Sequence, residues 1–542
     1  MSSGPVHSDD RSAARATTAG AVDPRATPSL RDAGSAAKPG QSSQPPSFFD
    51  DVLAGTPDDS ARRPSQQFLD TRSLAESLRY WLQNRGGLPR SPSRRDIVEA
   101  LGRDIAYIDR LLTGQVNAIL HHPAFQQLEA SWRGLWYLTG QAQEACDAAA
   151  DSGQQTRLLV RIRNISKREL KRDFERAIEF DQSYTFKAIY EEEFGMAGGE
   201  PYGAIIGDYE FSNRLEDIEL LTSMSEVSAA AFAPFVTSAA PALLGLDDFS
   251  TLEQPLNLPS AFQHLDYLKW RAFRDREESR FVGLTLPRVL MRLPHEDDGT
   301  RRDGFRFREE VTGPDRSKYL WGSSAYAFGG VLARAYAASG WFAEIRGVDR
   351  GVIGGGLVLG LDTHSFTTDA LGIAPKSSPE VSIREEQEKE LSNLGLIPLC
   401  HLPDTELCAF FSNQSTQKPK SYSEEAATVN ARISAMLQYM MCASRFAHYL
   451  KVAARNKVGG MTGEQELENY LNDWVQKYVA PDRRAAPDQK AKFPLREAQV
   501  EVREIPQKPG NFRLVMHLLP HFQLDDLTAS LRLVSNLAPV ST

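Results

Sequence analysis

Apolar positions recur at helical spacing through much of residues 69–140. Leu74, Leu78, Trp81 and Leu82 form one stripe, and Ile105, Ile108, Leu111, Leu112, Val116 and Ile119 form another. The sharpest pattern is His121–Gly140. Pro123 suits the first helical position, where no N–H is needed. Phe125, Leu128, Trp132, Leu135 and Trp136 then share one face, and Gly140 offers a stop. Gly134 sits mid-helix at a cost of about 1 kcal/mol against alanine, which predicts close packing against another element. Two Trp on one stripe suit a core helix or a partner-facing one. His121 and His122 have no Cys or His at ligand spacing, so capping or surface roles are expected rather than metal binding.

Further along, the pattern mixes periods. Arg157–Arg163 alternates and predicts a strand. Ser166 and Glu169 form a capping box, with Ile165 and Leu170 as its staple. Strands are expected at Ala204–Ile206 and Phe281–Leu286, and helices at Leu215–Phe232 and Ala325–Ala338. Pro294–Ser317 and Ser377–Glu390 are polar and read as exposed. Glu424–Lys457 reads as one long helix closed by Gly459–Gly460. Thr462 and Gln465 would cap the next helix, with Leu467, Tyr470, Leu471, Trp474 and Tyr478 on one side. Its other side carries Glu464, Glu466, Glu468 and Asp473. Gln499–Ile505 and Asn511–Leu519 alternate as a β-hairpin, with Val500 and Val502 in one strand and Phe512, Leu514 and Met516 in the other. The fold class is therefore α+β, a mixed α/β pattern.

Composition narrows the function. Residues 1–46 contain no aromatic residue and read as a disordered tail. Phe48, Phe49, Val52 and Leu53 then make an isolated apolar turn between polar stretches, suited to binding a partner or docking on its own domain. A net charge of −9 argues against wholesale nucleic-acid binding. No run of about 18 apolar residues predicts a membrane span, and the first residues lack the apolar core of a secretory signal, so a cytoplasmic location is expected. Cys146, Cys400, Cys408 and Cys442 lack metal or redox spacing and read as reduced thiols. Gly351–Gly360 (GVIGGGLVLG) lacks both the GK[ST] of a P-loop and the dinucleotide G-x-G-x-x-G, so packing and turns are favoured over phosphate. Glu191–Glu193 has no base or nucleophile nearby in sequence, and Pro294–Asp303 lacks Ca²⁺-loop spacing. No catalytic motif, metal site or cofactor site is expected; the alternative is an α/β nucleotide-binding enzyme using Gly351–Gly360.

Several long segments resemble, in order and content, the large contractile sheath subunit of bacterial type VI secretion systems, the TssC (VipB, ImpC, EvpB) family. They are His121–Gly140 (HHPAFQQLEASWRGLWYLTG), Tyr184–Gly199 (YTFKAIYEEEFGMAGG), Pro201–Arg214 (PYGAIIGDYEFSNR), Phe281–Pro294 (FVGLTLPRVLMRLP), Tyr319–Ala325 (YLWGSSA) and Phe522–Leu533 (FQLDDLTASLRL). The resemblance runs from about Ser47 to the C-terminus. It implies a structural protein without enzymatic activity, with a tail-sheath-like fold. It also implies an obligate heterodimer with a small sheath subunit, and copies polymerised as a helical sheath around inner-tube hexamers. A baseplate and a Clp-type disassembly ATPase are implied as further partners. On that basis residues 47–66 hold an unfoldase-recognition helix (Phe48, Phe49, Val52, Leu53) and linker. Residues 67–150 are a helical region packing on the small subunit through Phe125, Leu128, Trp132 and Trp136. Residues 151–400 form a central α/β domain. Residues 401–542 form a C-terminal domain with a tube-facing helix (Glu464, Glu466, Glu468, Asp473). There, neighbouring subunits complete the hairpin of Val500, Val502, Phe512, Leu514 and Met516.

Overall fold

The computed structural model describes residues 73–84 and 91–537, apart from 155, 197, 255, 298, 300–303, 314, 349–350, 365, 367–377, 403–404, 458–462, 481, 483–486, 506–511 and 522–530. The tail at 1–46, the apolar turn with Phe48, Phe49, Val52 and Leu53, Gly459–Gly460 and Thr462 lie outside the described residues.

Three helices lead the described chain: α1 (Leu74–Asn84), α2 (Arg94–Leu120) and α3 (Pro123–Asp151). Ser93 and Asp96 cap α2 reciprocally. His122 caps α3, its ring accepting from the Ala124 N–H at 3.3 Å, and Pro123 occupies the first position. The expected stop at Gly140 does not occur: α3 runs eleven residues further, to Asp151. Nothing crowds a side chain at Gly140, and it sits in helical backbone.

A short helix α4 (Lys167–Arg176), with the Ser166–Glu169 capping box in place, leads to the central sheet. Its strands are β1 (Ile205–Phe211), β2 (Phe235–Ala239) and β3 (Val282–Leu286), then β4 (Leu357–Val358), β5 (Ile397–His401) and β6 (Cys408–Phe410). The order is β1-β2-β3-β5-β6-β4; the first four run parallel, and β6 is antiparallel to both neighbours. Parallel strands need crossovers. Helix α5 (Leu215–Ala231) supplies the first, packing through Leu220, Leu221 and Met224 on one face of the sheet. Helix α6 (Ser324–Ser339) covers the other face, and almost all of it is buried, because α3 lies across it in turn. That crossing explains Gly134. A Cβ there would lie 2.3 Å from the Tyr326 ring, and one at Gly329 of α6 would lie 2.8 Å from Leu138.

Helix α7 (Glu385–Asn393) precedes β5. The C-terminal part contains α8 (Glu425–Ser434), α9 (Leu437–Lys457) and α10 (Glu464–Gln476), packed on a sheet of β7 (Leu495–Glu504), β8 (Phe512–Pro520) and β9 (Leu531–Leu537). The single helix expected over Glu424–Lys457 is two. The Ala435 carbonyl is taken by Ser415 N–H at 3.0 Å, and Leu437 N–H by the Asn413 carbonyl at 2.8 Å, so segment 413–415 interrupts the helical ladder. Helix α10 starts after Gly463, which makes no side-chain cap bond. The hairpin is present, with Phe512 opposite Glu504 and Met516 opposite Val500. It is joined by β9, which makes β8 the central strand.

Two segments expected to be exposed carry core. Phe307, Glu309 and Val311 are buried within 294–317, and Glu380, Val381, Ile383 and Glu388 within 377–390. Arg157–Arg163 is extended but pairs with no strand among the described residues. The rest of the mixed pattern holds, with β1 running past the expected Ile206 to Phe211.

Candidate assembly surfaces

Helix α3 has two unlike faces. Ala130, Gly134, Leu138, Ala142 and Ala149 are buried against the body of the protein. The opposite face carries Leu128, Trp132 and Trp136, and the two Trp are 67% and 76% exposed. Phe125 and Leu135 are half-buried beside them. Helix α2 is barer still: Val98, Ile105, Ile108 and Leu111 are each at least half exposed, and only Ala100 and Asn117 are buried. The core reading of the Trp stripe is thus overturned within this chain; its core face is made of Ala, Gly and one Leu, one step around the helix. A stripe with two open Trp exceeds the scattered apolar residues of ordinary surfaces.

Charge fixes this helical pair to the body. Arg292 is 5% exposed and bonds Glu129 of α3 at 2.9 Å and Glu309 at 2.5 Å. Glu309 also accepts from the His295 N–H at 3.0 Å and lies 3.3 Å from the His121 ring, at the α2–α3 corner. Burial alone would raise the Glu309 carboxyl, but Arg292, the His295 N–H and His121 outweigh it and hold the group below the usual carboxylate range. Asn117 of α2 accepts from the Glu310 N–H at 3.1 Å. Tyr137 of α3 donates to the Leu359 carbonyl at 2.7 Å. Sequence reasoning missed this network because Glu309 sits in a charged stretch that reads as solvated loop.

At the C-terminal sheet, α10 runs along the outer edge of β7, antiparallel to it. Glu464 accepts from Glu504 N–H at 3.5 Å and Glu468 from Val502 N–H at 2.9 Å. Asn472 accepts from Val500 N–H at 2.9 Å and donates to its carbonyl at 2.7 Å, and Gln476 donates to the Ala498 carbonyl at 2.8 Å. The match is geometric: four helical residues rise about 6 Å, nearly the 6.6–6.8 Å of two strand residues. The four polar residues at i, i+4, i+8 and i+12 therefore satisfy an edge that would otherwise invite another strand. Of the four acids assigned to a tube-facing surface, Glu464 and Glu468 serve this edge, while Glu466 and Asp473 are exposed. In the hairpin, Val500, Val502, Phe512, Leu514 and Met516 are buried in one core with residues of α9 and α10 of the same chain.

The glycine-rich stretch is built for packing. A Cβ at Gly356 would lie 2.1 Å from the Phe410 carbonyl oxygen, and one at Gly355, where φ is +57°, 2.5 Å from that of Gly347. Gly356 N–H donates to Gly347 at 2.8 Å, and Arg334 donates to the carbonyls of Gly355 and Leu357 at 2.9 and 2.6 Å. Of the backbone N–H groups a phosphate could use here, those of Gly356 and Leu357 donate to the carbonyls of Gly347 and Gly354 instead. Glu193 pairs with Arg161 and accepts from Glu200 N–H at 3.0 Å, which gives that acid a structural role. The four cysteines are thiols and not disulfides, and burial pushes those of Cys400 and Cys442 up to about 12, far from reactive thiolate. Among the described residues no group of His, Cys, Asp and Glu is placed to hold a metal, and no helix is long and apolar enough to cross a membrane.

Residues 102–417 match the EvpB/VC_A0108 tail sheath N-terminal domain, and residues 426–537 match the EvpB/VC_A0108 tail sheath gpW/gp25-like domain. The Type VI secretion system sheath protein TssC1 of Pseudomonas aeruginosa is 41% identical over 445 residues, covering 82% of this chain and 86% of that one. A chain of the cryo-EM structure of the anti-feeding prophage baseplate, 6-fold symmetrised, superposes with a TM-score of 0.31 at 12% identity, over 58% of this chain and 66% of that one, and no argument rests on it.

Proposed function

The chain belongs to the EvpB/VC_A0108 tail sheath family, and from that premise we propose that it is the large sheath subunit of a type VI secretion apparatus in the bacterial cytoplasm. It pairs with a smaller sheath chain, and the pairs polymerise around an inner tube on a baseplate. The observation that carries the reading is the exposed apolar residues of α2 and α3: Leu128, Trp132 and Trp136 on α3, and Ile105 and Ile108 on α2. Hydrophobic burial drives such pairing at about 25 cal/mol per Å², so this face is the seat of the small subunit. Glu466 and Asp473 remain for polar contact with the tube, where screened ion pairs are weak enough to release. Phe48, Phe49, Val52 and Leu53 are the segment offered to a Clp-type ATPase that recycles the contracted form.

Electron microscopy of the chain co-expressed with its small partner, beside the chain alone, tests this. Tubules are expected only in the co-expression. Soluble discrete particles in both samples would reject the sheath role.

A further inference from the structure

The seam between the two matched domains holds a cavity of about 170 Å³. Segment 343–355 forms its wall on the central side. The start of α9, a short helix at Pro487–Lys492 and the residues Pro494 and Pro520 form the wall on the other. Polar groups on this wall lack partners. Gln438, in the first turn of α9, is 2% exposed, and neither the oxygen nor the nitrogen of its amide is hydrogen-bonded. The buried Nε of Arg346 and Nε2 of His521 are unbonded as well. Among the described residues the Arg346 guanidinium has only the Met436 sulfur, a weak acceptor, at 3.7 Å. Native folds meet nearly all such groups, with protein, water or a bound ligand.

Charge and size narrow the occupant. Arg346 and the half-buried Lys490 are cationic, and no ion pair joins either to the described residues. Glu344 is the acid on the wall, and Arg334 lies close enough to feel its charge. Burial, with Lys490 and Arg496, holds the His521 ring below its ordinary value against the Ala480 carbonyl and Asp482, so the ring is neutral at pH 7. An unmet amide N–H, a guanidinium N–H and an ammonium together suit an oxyanion. Ala343, Val352 and Ala491 add apolar wall for a carbon skeleton. An apolar cavity of about 150 Å³ takes benzene, so this one has room for about six to eight non-hydrogen atoms. We propose that the cavity binds a small organic oxyanion, a carboxylate or a phosphate ester, through Arg346, Lys490 and Gln438. Bound there, the anion braces segment 343–355 against α9 and ties the central sheet to the C-terminal one. The site stands whether or not the sheath reading does.

Thermal unfolding of the full chain in succinate, inorganic phosphate or glycerol 3-phosphate, against sodium chloride at equal ionic strength, tests the site. At least one of the three should raise the melting temperature saturably, and calorimetric titration should give a single site. Anions excluded from the surface also stabilise proteins, but without saturation and equally in every variant. Lys490→Gln should weaken binding about tenfold, the effect of one lost charge-assisted hydrogen bond. Gln438→Leu should abolish the saturable shift without lowering the melting temperature of the ligand-free chain, because it removes an unmet amide. Succinate acting alone assigns a carboxylate ligand, and the two phosphate compounds acting alone assign a phosphate. A shift that does not saturate, or that both variants retain in full, overturns the proposal and leaves the cavity to water. Slowed hydrogen exchange of 343–355 in assembled tubules, with no anion effect on the chain, gives the cavity to an acidic side chain of a neighbour and also overturns it.

Discussion

Glu380 shows what a single buried acid does to this protein. It is 2% exposed, and among the described residues its only cation within ion-pair range is Arg288 at 3.8 Å. Arg288 spends its better geometry on Glu210, through two bonds. Burial, only partly offset by Arg288 and reinforced by Asp248 and Glu210, pushes the Glu380 carboxyl up to about 7. An acid raised on folding binds its proton in the native state while the unfolded chain has lost it. Stability therefore falls as pH rises between the unfolded value near 4.5 and about 7. Glu380→Gln should stabilise the protein at pH 8 by on the order of 2 kcal/mol, with the gain vanishing below pH 4.5. Thermal melts of both forms across that range check it; an equal gain at every pH would assign the effect to packing.

Between α10 and β7 the relevant unit is the element. Helical periodicity put Glu464 and Glu468 on the polar side together with Glu466 and Asp473 and passed over Asn472 and Gln476, because periodicity cannot say what meets a polar face. Water, a tube and the backbone of an edge strand all suit the same residues. The hairpin suffers the mirror-image ambiguity: alternation picked out Val500 and Val502, then Phe512, Leu514 and Met516, and the structure buries these side chains in the chain's own core. What was legible were properties internal to an element, such as the Ser166–Glu169 box or the mid-helix Gly134. What was not legible were partners distant in sequence, including Glu309 with Arg292 and the third strand β9. The ladder itself can be tested. Asn472→Ala leaves the Val500 N–H and C=O without their partner at a cost of about 1–3 kcal/mol. Exchange at Val500 and Val502 should accelerate at least tenfold. Unaltered exchange would mean that the ladder does not close the edge.

Over the whole molecule the two ends are finished differently. The C-terminal sheet is closed along β7 by its own helix, so any strand a neighbour adds must join beyond β9. The N-terminal helical pair is the reverse: charge locks its inner face, while its outer face is apolar and bare. A chain shaped this way is stable as a body and incomplete as a surface. Replacing both Trp132 and Trp136 by Ser separates those properties. Both side chains are mostly exposed, so the melting temperature of the chain alone should stay within the range of ordinary surface changes, about 0.5 kcal/mol. Solubility should rise, because the open apolar stripe is smaller. Affinity for the small sheath chain should fall by at least a thousandfold, since two buried Trp anchors are worth about 2 kcal/mol or more each. Co-purification and tubule counts measure the loss. If pairing survives the double substitution at full strength, the small subunit sits elsewhere, and the bare face of α2 and α3 belongs to contacts between neighbouring protomers of the sheath.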